Sequence, residues 1–238
     1  MGDYDKEHIG TFKLRQQYGF RMSTENTWMP LYHFLPMALE IQASLTFYKG
    51  IKTSKWPCDA WIYQELIFER KPNIIIEIGN FHGGSTVMLA DYLDLFSENS
   101  RGVIGVDIDH KQLESRSLKD SRIQWVDGDG KSDEVFHAVC ALLKPDDRVM
   151  VIDDSNHEPD HSYQVLKKFS PLVSVGQYFI MEDTVVGPGN IIPKMHREYG
   201  ADWAVREFMK DNTEFKIDHM REKWFYTNNV DGFLERIG

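Results

Sequence analysis

Short apolar runs alternate with helix-periodic segments through the middle of the chain. Five runs of this kind occupy residues 73–78, 103–107, 123–126, 148–153 and 177–182. Short runs rich in β-branched residues are typical of strands that are buried on both faces. Helix-periodic segments between them cover about residues 84–96, 132–143 and 160–169. The alternation predicts an α/β fold with a doubly wound, mostly parallel sheet and right-handed crossovers.

The flanks of this region have a different pattern. Residues 58–70 and 201–210 are predicted helices, and residues 215–218 and 224–227 are predicted strands that close the sheet edge as a C-terminal antiparallel hairpin. The sheet then has seven strands. Residues 1–54 are rich in aromatic side chains and form an N-terminal extension. It is expected to pack against the core, and a pocket wall or an oligomer contact is the alternative. Residues 55–238 are predicted to form one domain.

A glycine-rich turn follows the first long strand. The strand ends in Glu77, Gly79 comes two residues later, and Gly83, Gly84 and Ser85 open the next helix. A strand, a glycine turn and a helix N-terminus together suit a nucleotide-like ligand. The spacing is not G-x-G-x-x-G, and a carboxylate at the strand end disfavours a pyrophosphate but tolerates cationic S-adenosylmethionine. An ordinary βα turn with glycines for packing is the alternative.

Acidic residues also end the next two strands. Asp107 lies 30 residues after Glu77, close to the position of a ribose-binding acid in this class of fold. Asp129 follows the third strand within the sequence Asp-Gly-Asp-Gly and could accept the adenine amino group. A plain acidic turn remains an equal alternative for Asp129.

A second acidic group follows the fourth and fifth strands. Because parallel strands all end at one rim, Asp154, Glu182 and Asp183 are expected to converge there. Three crowded carboxylates repel one another, and a hard divalent cation such as Mg²⁺ or Ca²⁺ would relieve the repulsion. His157 would lie beside the ion and could take a proton from a hydroxyl. Solvated loop positions remain the alternative for His157 and His161.

Composition excludes several classes of partner and location. A net charge of -10 disfavours nucleic acid and anionic membranes as partners. Two cysteines, Cys58 and Cys140, fit a reducing cytoplasm better than a disulfide framework. No signal peptide or membrane-length apolar run is visible, so we expect a cytoplasmic protein.

With these residues identified, residues 55–237 resemble a known family. They are similar to the S-adenosylmethionine-dependent O-methyltransferases grouped with cephalosporin hydroxylase-like and rhamnosyl O-methyltransferase proteins, and more distantly to macrolide sugar O-methyltransferases. The resemblance is carried by EIGNFHGGS, GVDID, DGD, DSNHEPDH and SPLVSVGQYFIMEDT, and by the aromatic and Thr-Asn segment at 224–233. The fourth and fifth of these motifs are the specific ones.

The resemblance implies a role for each candidate residue. It makes the cofactor-binding residues Glu77, Gly79, Gly83, Ser85, Asp107, Gly128 and Asp129. It makes Asp154, Glu182 and Asp183 the Mg²⁺ ligands and His157 the general base, with Asp154 and His161 as other candidates for the base. Residues 185–200 depart from the glycine- and proline-rich loop expected to cover the acceptor, which leaves the acceptor open.

These observations predict Mg²⁺-dependent methyl transfer from S-adenosylmethionine to a hydroxyl of a sugar or glycosylated small molecule. A β-lactam tailoring hydroxylase is one alternative, although oxygenase iron usually binds two histidines and one carboxylate. A non-catalytic partner protein that retains the fold is another. A homo-oligomer is expected from the related proteins and the aromatic extension.

Overall fold

The computed structural model describes residue 42 and residues 44–185, 200–224 and 226–238. Its strands are β1 (Phe47–Tyr48), β2 (Ile51–Lys52), β3 (Ile74–Ile78), β4 (Val103–Asp107), β5 (Ile123–Asp127), β6 (Val149–Asp153), β7 (Tyr178–Met181), β8 (Phe215–Ile217) and β9 (Phe233–Arg236). Its helices are α1 (Pro57–Arg70), α2 (Gly84–Phe96), α3 (Ser115–Leu118), α4 (Asp133–Leu142), α5 (Pro159–Phe169) and α6 (Ala201–Asp211).

Seven strands form one sheet in the order β5-β4-β3-β6-β7-β9-β8. Strands β3 to β7 pair in parallel, and β9 runs antiparallel to both β7 and β8. The register places Ile78 opposite Asp153, and Asp107 opposite Asp127. The five parallel strands therefore end at one rim, as the apolar runs predict, and the doubly wound α/β fold is confirmed.

Two apolar clusters lie on opposite faces of the sheet. One face packs against α1 and α2 through fully buried side chains such as Leu66 and Leu89. The other packs against α4, α5 and α6 through Val139, Phe169 and Val205. The central strand β3 is buried along its whole length because both faces are covered.

Local sequence signals fix the ends of two helices. Pro57 opens α1, and Lys71, with a left-handed φ of 48°, ends it directly before Pro72. Ser132 caps α4, since its hydroxyl accepts a hydrogen bond from the Val135 N–H at 3.2 Å.

The predicted strand at residues 224–227 is wrong. The described residues of that segment are irregular, and the strand that pairs with β7 and β8 is β9, further along the chain. The Thr227 hydroxyl and the Asn228 N–H instead donate to the buried carboxylate of Asp59 at 2.5 and 3.0 Å. These bonds direct the backbone of the segment toward α1 and away from the sheet.

Only the last part of the N-terminal extension is described. Strands β1 and β2 form a small antiparallel hairpin there, while residues 1–41 lie outside the described residues. The proposed boundary at residue 54 and the oligomer contact therefore stay predictions. None of the helices in the described ranges has the length and apolarity needed to cross a bilayer.

Candidate active site

A cavity of about 710 Å³ opens at the carboxyl ends of the parallel strands. Its wall includes predicted cofactor residues (Gly79, Ser85, Asp107, Gly128, Asp129) and predicted metal-site residues (Asp154, His157, Asp183). Part of the extension also lines it, namely Gln42, Ser44, Lys52, Thr53 and Ser54. The two predicted groups therefore share one open cavity, which is large enough for a drug-sized ligand.

Gly79 brings the ends of β3 and β6 into contact. Its φ is +90°, and a Cβ placed there would lie 2.0 Å from the backbone oxygen of Asp154. The Asp154 N–H in turn donates to the carbonyl of Ile78 at 2.7 Å. Gly79 therefore positions Asp154, a role that only glycine fits.

Gly83 has a different neighbourhood from the other predicted cofactor residues. It lies outside the cavity wall, with φ at +82°, and a Cβ there would meet Ser117 at 2.5 Å. Its described contacts fit packing at the start of α2.

Two predicted acids lie on the cofactor side of the cavity. Asp107 Oδ2 accepts hydrogen bonds from the backbone N–H groups of Asn80 and Phe81 at 2.7 and 3.0 Å. These hydrogen bonds fix the carboxylate against the glycine turn. Asp129 Oδ1 accepts the N–H of Lys131 at 3.1 Å and lies 3.2 Å from His161 Nε2. His161 therefore pairs with Asp129, and its Nδ1 also lies 3.3 Å from the Ser155 hydroxyl.

Glu77 lies behind the cavity wall and is fully buried. Its Oε2 accepts from the Thr86 hydroxyl at 2.5 Å and from the Asn80 side-chain amide at 3.1 Å. Burial raises the pKa of this carboxyl, while Lys55 opposes the rise. Glu77 therefore stabilises the glycine-rich turn through its hydrogen bonds with Asn80 and Thr86.

Lys55 is the functional residue that the sequence analysis missed. Its side chain is 2% exposed, and its Nζ lies 2.5 Å from both Asp154 Oδ2 and Glu182 Oε1. Glu77 Oε1 is 3.8 Å away. Burial alone would lower the pKa of Lys55, but these carboxylates raise it above its ordinary value. The Lys55 ammonium therefore interacts with carboxylates at the ends of β3, β6 and β7.

Asp154, His157 and Asp183 form what we call the metal-facing cluster. Their candidate ligand atoms all lie within 4.8 Å of one another. His157 Nε2 is 3.8 Å from Asp154 Oδ1 and 3.6 Å from Asp183 Oδ2. His157 and Asp183 both have left-handed backbones, with φ of 56° and 52°. Such strain in non-glycine residues is typical of functional sites.

The metal-facing cluster fits a divalent cation. Asp183 Oδ1 is buried and accepts no hydrogen bond from the described residues. Burial raises the pKa of the Asp183 carboxyl, and Asp154 adds to the rise. A buried carboxylate oxygen without a donor, beside a second carboxylate, is a donor set that a hard divalent cation satisfies.

A buried polar network holds the Asp183 loop. The Asp183 N–H donates to Asn229 Oδ1 at 2.9 Å, and the Asn229 amide donates to the Tyr63 hydroxyl at 3.0 Å. Next to it, Asp59 accepts from Thr227 and Asn228. The sequence resemblance at 224–233 included this Thr-Asn segment, but its contact with Asp183 had no visible signal.

The stability of the metal-free protein is expected to fall with rising pH because of Asp59. Burial raises the pKa of this carboxyl to about 7 from 3.8. Between these pH values the folded state therefore holds a proton that the unfolded state has released. The contribution of this proton to the free energy of unfolding is lost as the pH rises through about 7. Asp59→Asn cannot ionise, so urea unfolding from pH 4 to pH 8 should show wild type losing ~1–4 kcal/mol relative to the variant. Exposed Asp211→Asn is the control, and identical pH slopes for wild type and Asp59→Asn would contradict the prediction.

Comparison with known proteins places this geometry in a family. Residues 42–237 match the family described as Rhamnosyl O-methyltransferase/CmcI. The chain belongs to this family. A rhamnosyl O-methyltransferase of Mycobacterium tuberculosis is 30% identical over 195 residues, which cover 80% of this chain and 78% of the relative. Its counterpart in Mycobacterium leprae is 29% identical, with 80% and 83% covered. The family resemblance seen in the sequence is confirmed.

Solved structures show the same fold. A CmcI structure described with Mg and S-adenosylmethionine superposes with a TM-score of 0.63 at 19% identity, covering 92% of this chain and 89% of that chain. MycE, a methyltransferase from the mycinamycin biosynthetic pathway in complex with Mg, S-adenosylhomocysteine and mycinamycin VI, gives 0.50 at 16% identity, covering 74% and 48%. At these identities the likeness concerns the fold.

Proposed function

We propose that the protein is an O-methyltransferase that uses S-adenosylmethionine and a divalent cation, Mg²⁺ first, to methylate a hydroxyl of a sugar or a glycosylated small molecule. The observation that carries this proposal is the shared cavity: the acids Asp107 and Asp129 line one side, and the metal-facing cluster lines the other. The names of the curated relatives support a rhamnosyl or similar sugar acceptor.

In this proposal different side chains bind the methyl donor and the cation. Asp107 and Asp129 would hold the ribose and adenine of S-adenosylmethionine, which supplies the methyl group when it is bound. Asp154, Glu182 and Asp183 are the carboxylates that would hold the cation. Lys55 Nζ lies 2.5 Å from Asp154 Oδ2 and from Glu182 Oε1. Bound there, the cation would orient acceptor oxygens and lower the pKa of the attacking hydroxyl.

In this proposal His157 is the group that would receive the hydroxyl proton. It is 5% exposed, lines the cavity, and faces both carboxylates of the metal-facing cluster. The acceptor oxygen forms its bond to the methyl carbon as the carbon–sulfur bond breaks, and the proton passes to His157 Nε2. Since the displacement is in-line, much of the rate comes from positioning the oxygen against the methyl group.

His157→Ala is expected to lower kcat by ~10²-fold or more while S-adenosylhomocysteine affinity stays near wild type. His161→Ala is the matched control, because His161 pairs with Asp129 on the adenine side. That control should weaken cofactor binding with less effect on kcat. A near-normal kcat for His157→Ala would move the base to Asp154.

The direct test is transfer of labelled methyl from S-adenosylmethionine to a panel of rhamnosides, other glycosides and catechols. Product from a sugar acceptor, lost in excess chelator and restored by Mg²⁺, is the expected result. Transfer that is unaffected by chelator would refute the metal role, and transfer to catechols alone would refute the sugar acceptor.

The hydroxylase alternative has less support. The metal-facing cluster contains one histidine and two carboxylates, whereas oxygenase iron usually binds two histidines and one carboxylate. Iron- and 2-oxoglutarate-dependent oxidation of a β-lactam would revive it. A non-catalytic partner role would require that the protein fail to bind the cofactor.

A further inference from the structure

Tyr63 and Asn229 form a buried pair beside the two acids that follow β7. The two residues are 1% and 0% exposed, and Asn229 Nδ2 donates to the Tyr63 hydroxyl at 3.0 Å. Asn229 Oδ1 accepts the main-chain N–H of Asp183 at 2.9 Å. Because a main-chain N–H can only donate, this bond identifies the amide oxygen of Asn229 and leaves its nitrogen to face Tyr63. The side-chain amide therefore has one orientation.

The hydroxyl proton of Tyr63 is directed at Glu182. A tyrosine hydroxyl has a single proton to donate, and its oxygen already accepts from Asn229. Burial raises the pKa of Tyr63 well above its ordinary value, and the charge of the Glu182 carboxylate and its hydrogen bond with the hydroxyl add to the rise. One hydroxyl therefore contacts the side chain of Glu182 directly and the main chain of Asp183 through Asn229.

Helix α1 holds this pair in place. Asp59 and Tyr63 are four residues apart, so they lie on the same face of the helix, and both are buried. Asp59 accepts from the Thr227 hydroxyl at 2.5 Å, and the oxygen of that hydroxyl accepts the Asn229 N–H at 3.0 Å. Two successive turns of α1 therefore hold Asn229, one through its main chain and one through its side chain.

Both acids after β7 depend on their neighbours for their orientation. Asp183 has a left-handed φ of 52°, and a non-glycine residue keeps such a backbone only where surrounding groups hold it. The hydrogen bond to Asn229 supplies this support. Glu182 is 3% exposed, so the donors around its carboxylate decide where its oxygens point. Groups that bond to metal-binding carboxylates from behind typically change metal affinity by about 10- to 100-fold.

We propose that Tyr63 and Asn229 are positioning residues that orient the two acids after β7 toward the divalent cation. The inference rests on the proposed function, because it takes the carboxylates after β6 and β7 as the cation ligands. Removing the Tyr63 hydroxyl takes one donor from Glu182 and leaves the Asn229 amide without its acceptor. Both acids then lose their orientation, while the cofactor side of the cavity, at the ends of β4 and β5, is unchanged.

The test measures Mn²⁺ affinity by electron paramagnetic resonance for wild type, Tyr63→Phe and Tyr178→Phe. Tyr63→Phe removes only the hydroxyl and should bind Mn²⁺ ~10-fold more weakly, with unchanged affinity for S-adenosylhomocysteine. Tyr178 is the matched control, because it is fully buried at the opposite end of β7 and its hydroxyl donates to Asp218 at 2.7 Å. Tyr178→Phe should lose stability but bind Mn²⁺ as wild type does. A loss below about threefold for Tyr63→Phe, or an equal loss in the control, would overturn the inference.

A second variant tests whether the pair acts as a unit. Asn229→Ala should weaken Mn²⁺ binding about as much as Tyr63→Phe does. The double variant should bind within about threefold of the weaker single variant, because both substitutions interrupt the same chain of hydrogen bonds. Losses that multiply in the double variant would contradict a shared action. Glu222→Gln reports any binding at the surface group of His219, Glu222 and Asp231.

Asp183→Asn separates this inference from the proposed function. If wild type binds no Mn²⁺, or Asp183→Asn binds it normally, the cation site itself is wrong and both proposals fall. If Asp183→Asn loses Mn²⁺ affinity while Tyr63→Phe keeps it, only the positioning role falls. If Tyr63→Phe does not fold by circular dichroism, Asn229→Ala decides by the same threefold limit. Failure of both variants to fold would show a purely structural pair and would also overturn the inference.

Discussion

Asp183→Asn is expected to lower metal-dependent methyl transfer by ~10³-fold while leaving S-adenosylhomocysteine affinity within a few-fold of wild type. The substitution keeps the size of the side chain but removes the charge that faces the cation. Losing several kcal/mol of metal-derived stabilisation corresponds to about three powers of ten in rate. The backbone should tolerate it, because asparagine readily adopts the left-handed φ of 52° and the hydrogen bond to Asn229 uses the main chain.

Asp231→Asn is the matched control for this variant. Asp231 also has a left-handed backbone, with φ at 59°, but it belongs to the surface group with His219 and Glu222. The same chemical change there should leave turnover unaltered. Turnover within about fivefold of wild type for Asp183→Asn, at saturating Mg²⁺, would show that Asp183 does not hold the cation.

Gly79→Ala is expected to abolish measurable cofactor binding, with a loss of at least ~10²-fold in S-adenosylhomocysteine affinity. The new Cβ would lie 2.0 Å from the Asp154 backbone oxygen and 2.5 Å from its carbonyl carbon. Backbone cannot move aside cheaply here, because β3 and β6 are paired along their length. Separating their ends displaces both the glycine turn and Asp154. Calorimetry with S-adenosylhomocysteine gives the affinity, and thermal unfolding gives the accompanying loss of stability.

Gly176→Ala separates the steric effect from backbone strain. Gly176 has a similar φ of +82°, but a Cβ there meets nothing within 4 Å. The control should therefore lose about 1 kcal/mol of stability from the strained φ alone and keep cofactor binding. Equal affinities for the two alanine variants would contradict the close approach of β3 and β6 as the reason for Gly79.

The sheet and its acidic rim could be predicted because their signals are local. Each parallel strand is a short apolar run that ends in an acid or a glycine turn, and parallel pairing sends all those ends to one side. Asp107, Asp154 and Asp183 could be assigned to the rim for this reason. The family resemblance added cofactor and metal roles that the pattern alone left open.

Two features could not be predicted because their causes are distant in sequence. Strand β9 contains Glu235 and Arg236, so it lacks an apolar run. It lies between β7 and β8 with Phe233 and Leu234 buried in the two apolar clusters. Arg70 and Lys216 pair with Glu235 at 2.9 Å each. Residues 224–227 have the aromatic, β-branched composition of a strand. Hydrogen bonds from Thr227 and Asn228 to Asp59 instead hold this segment against α1.

Lys55 is the clearest example of a site residue that the sequence alone does not reveal. It lies between β2 and α1, and no sequence motif around it indicates a charged site. Only the folded chain shows that Asp154 and Glu182, 99 and 127 residues away, meet at its ammonium. Residues of this kind become visible when buried charges are matched in the structure.

The most direct measurement is titration calorimetry of the wild-type chain with S-adenosylhomocysteine, with and without Mg²⁺. A dissociation constant on the order of micromolar is expected, because Asp107 and Asp129, the acids proposed to bind ribose and adenine, already line the cavity in the metal-free protein. Mg²⁺ should bind to the same protein and lose affinity in Asp183→Asn. No heat of binding for S-adenosylhomocysteine in either condition would contradict the methyltransferase assignment.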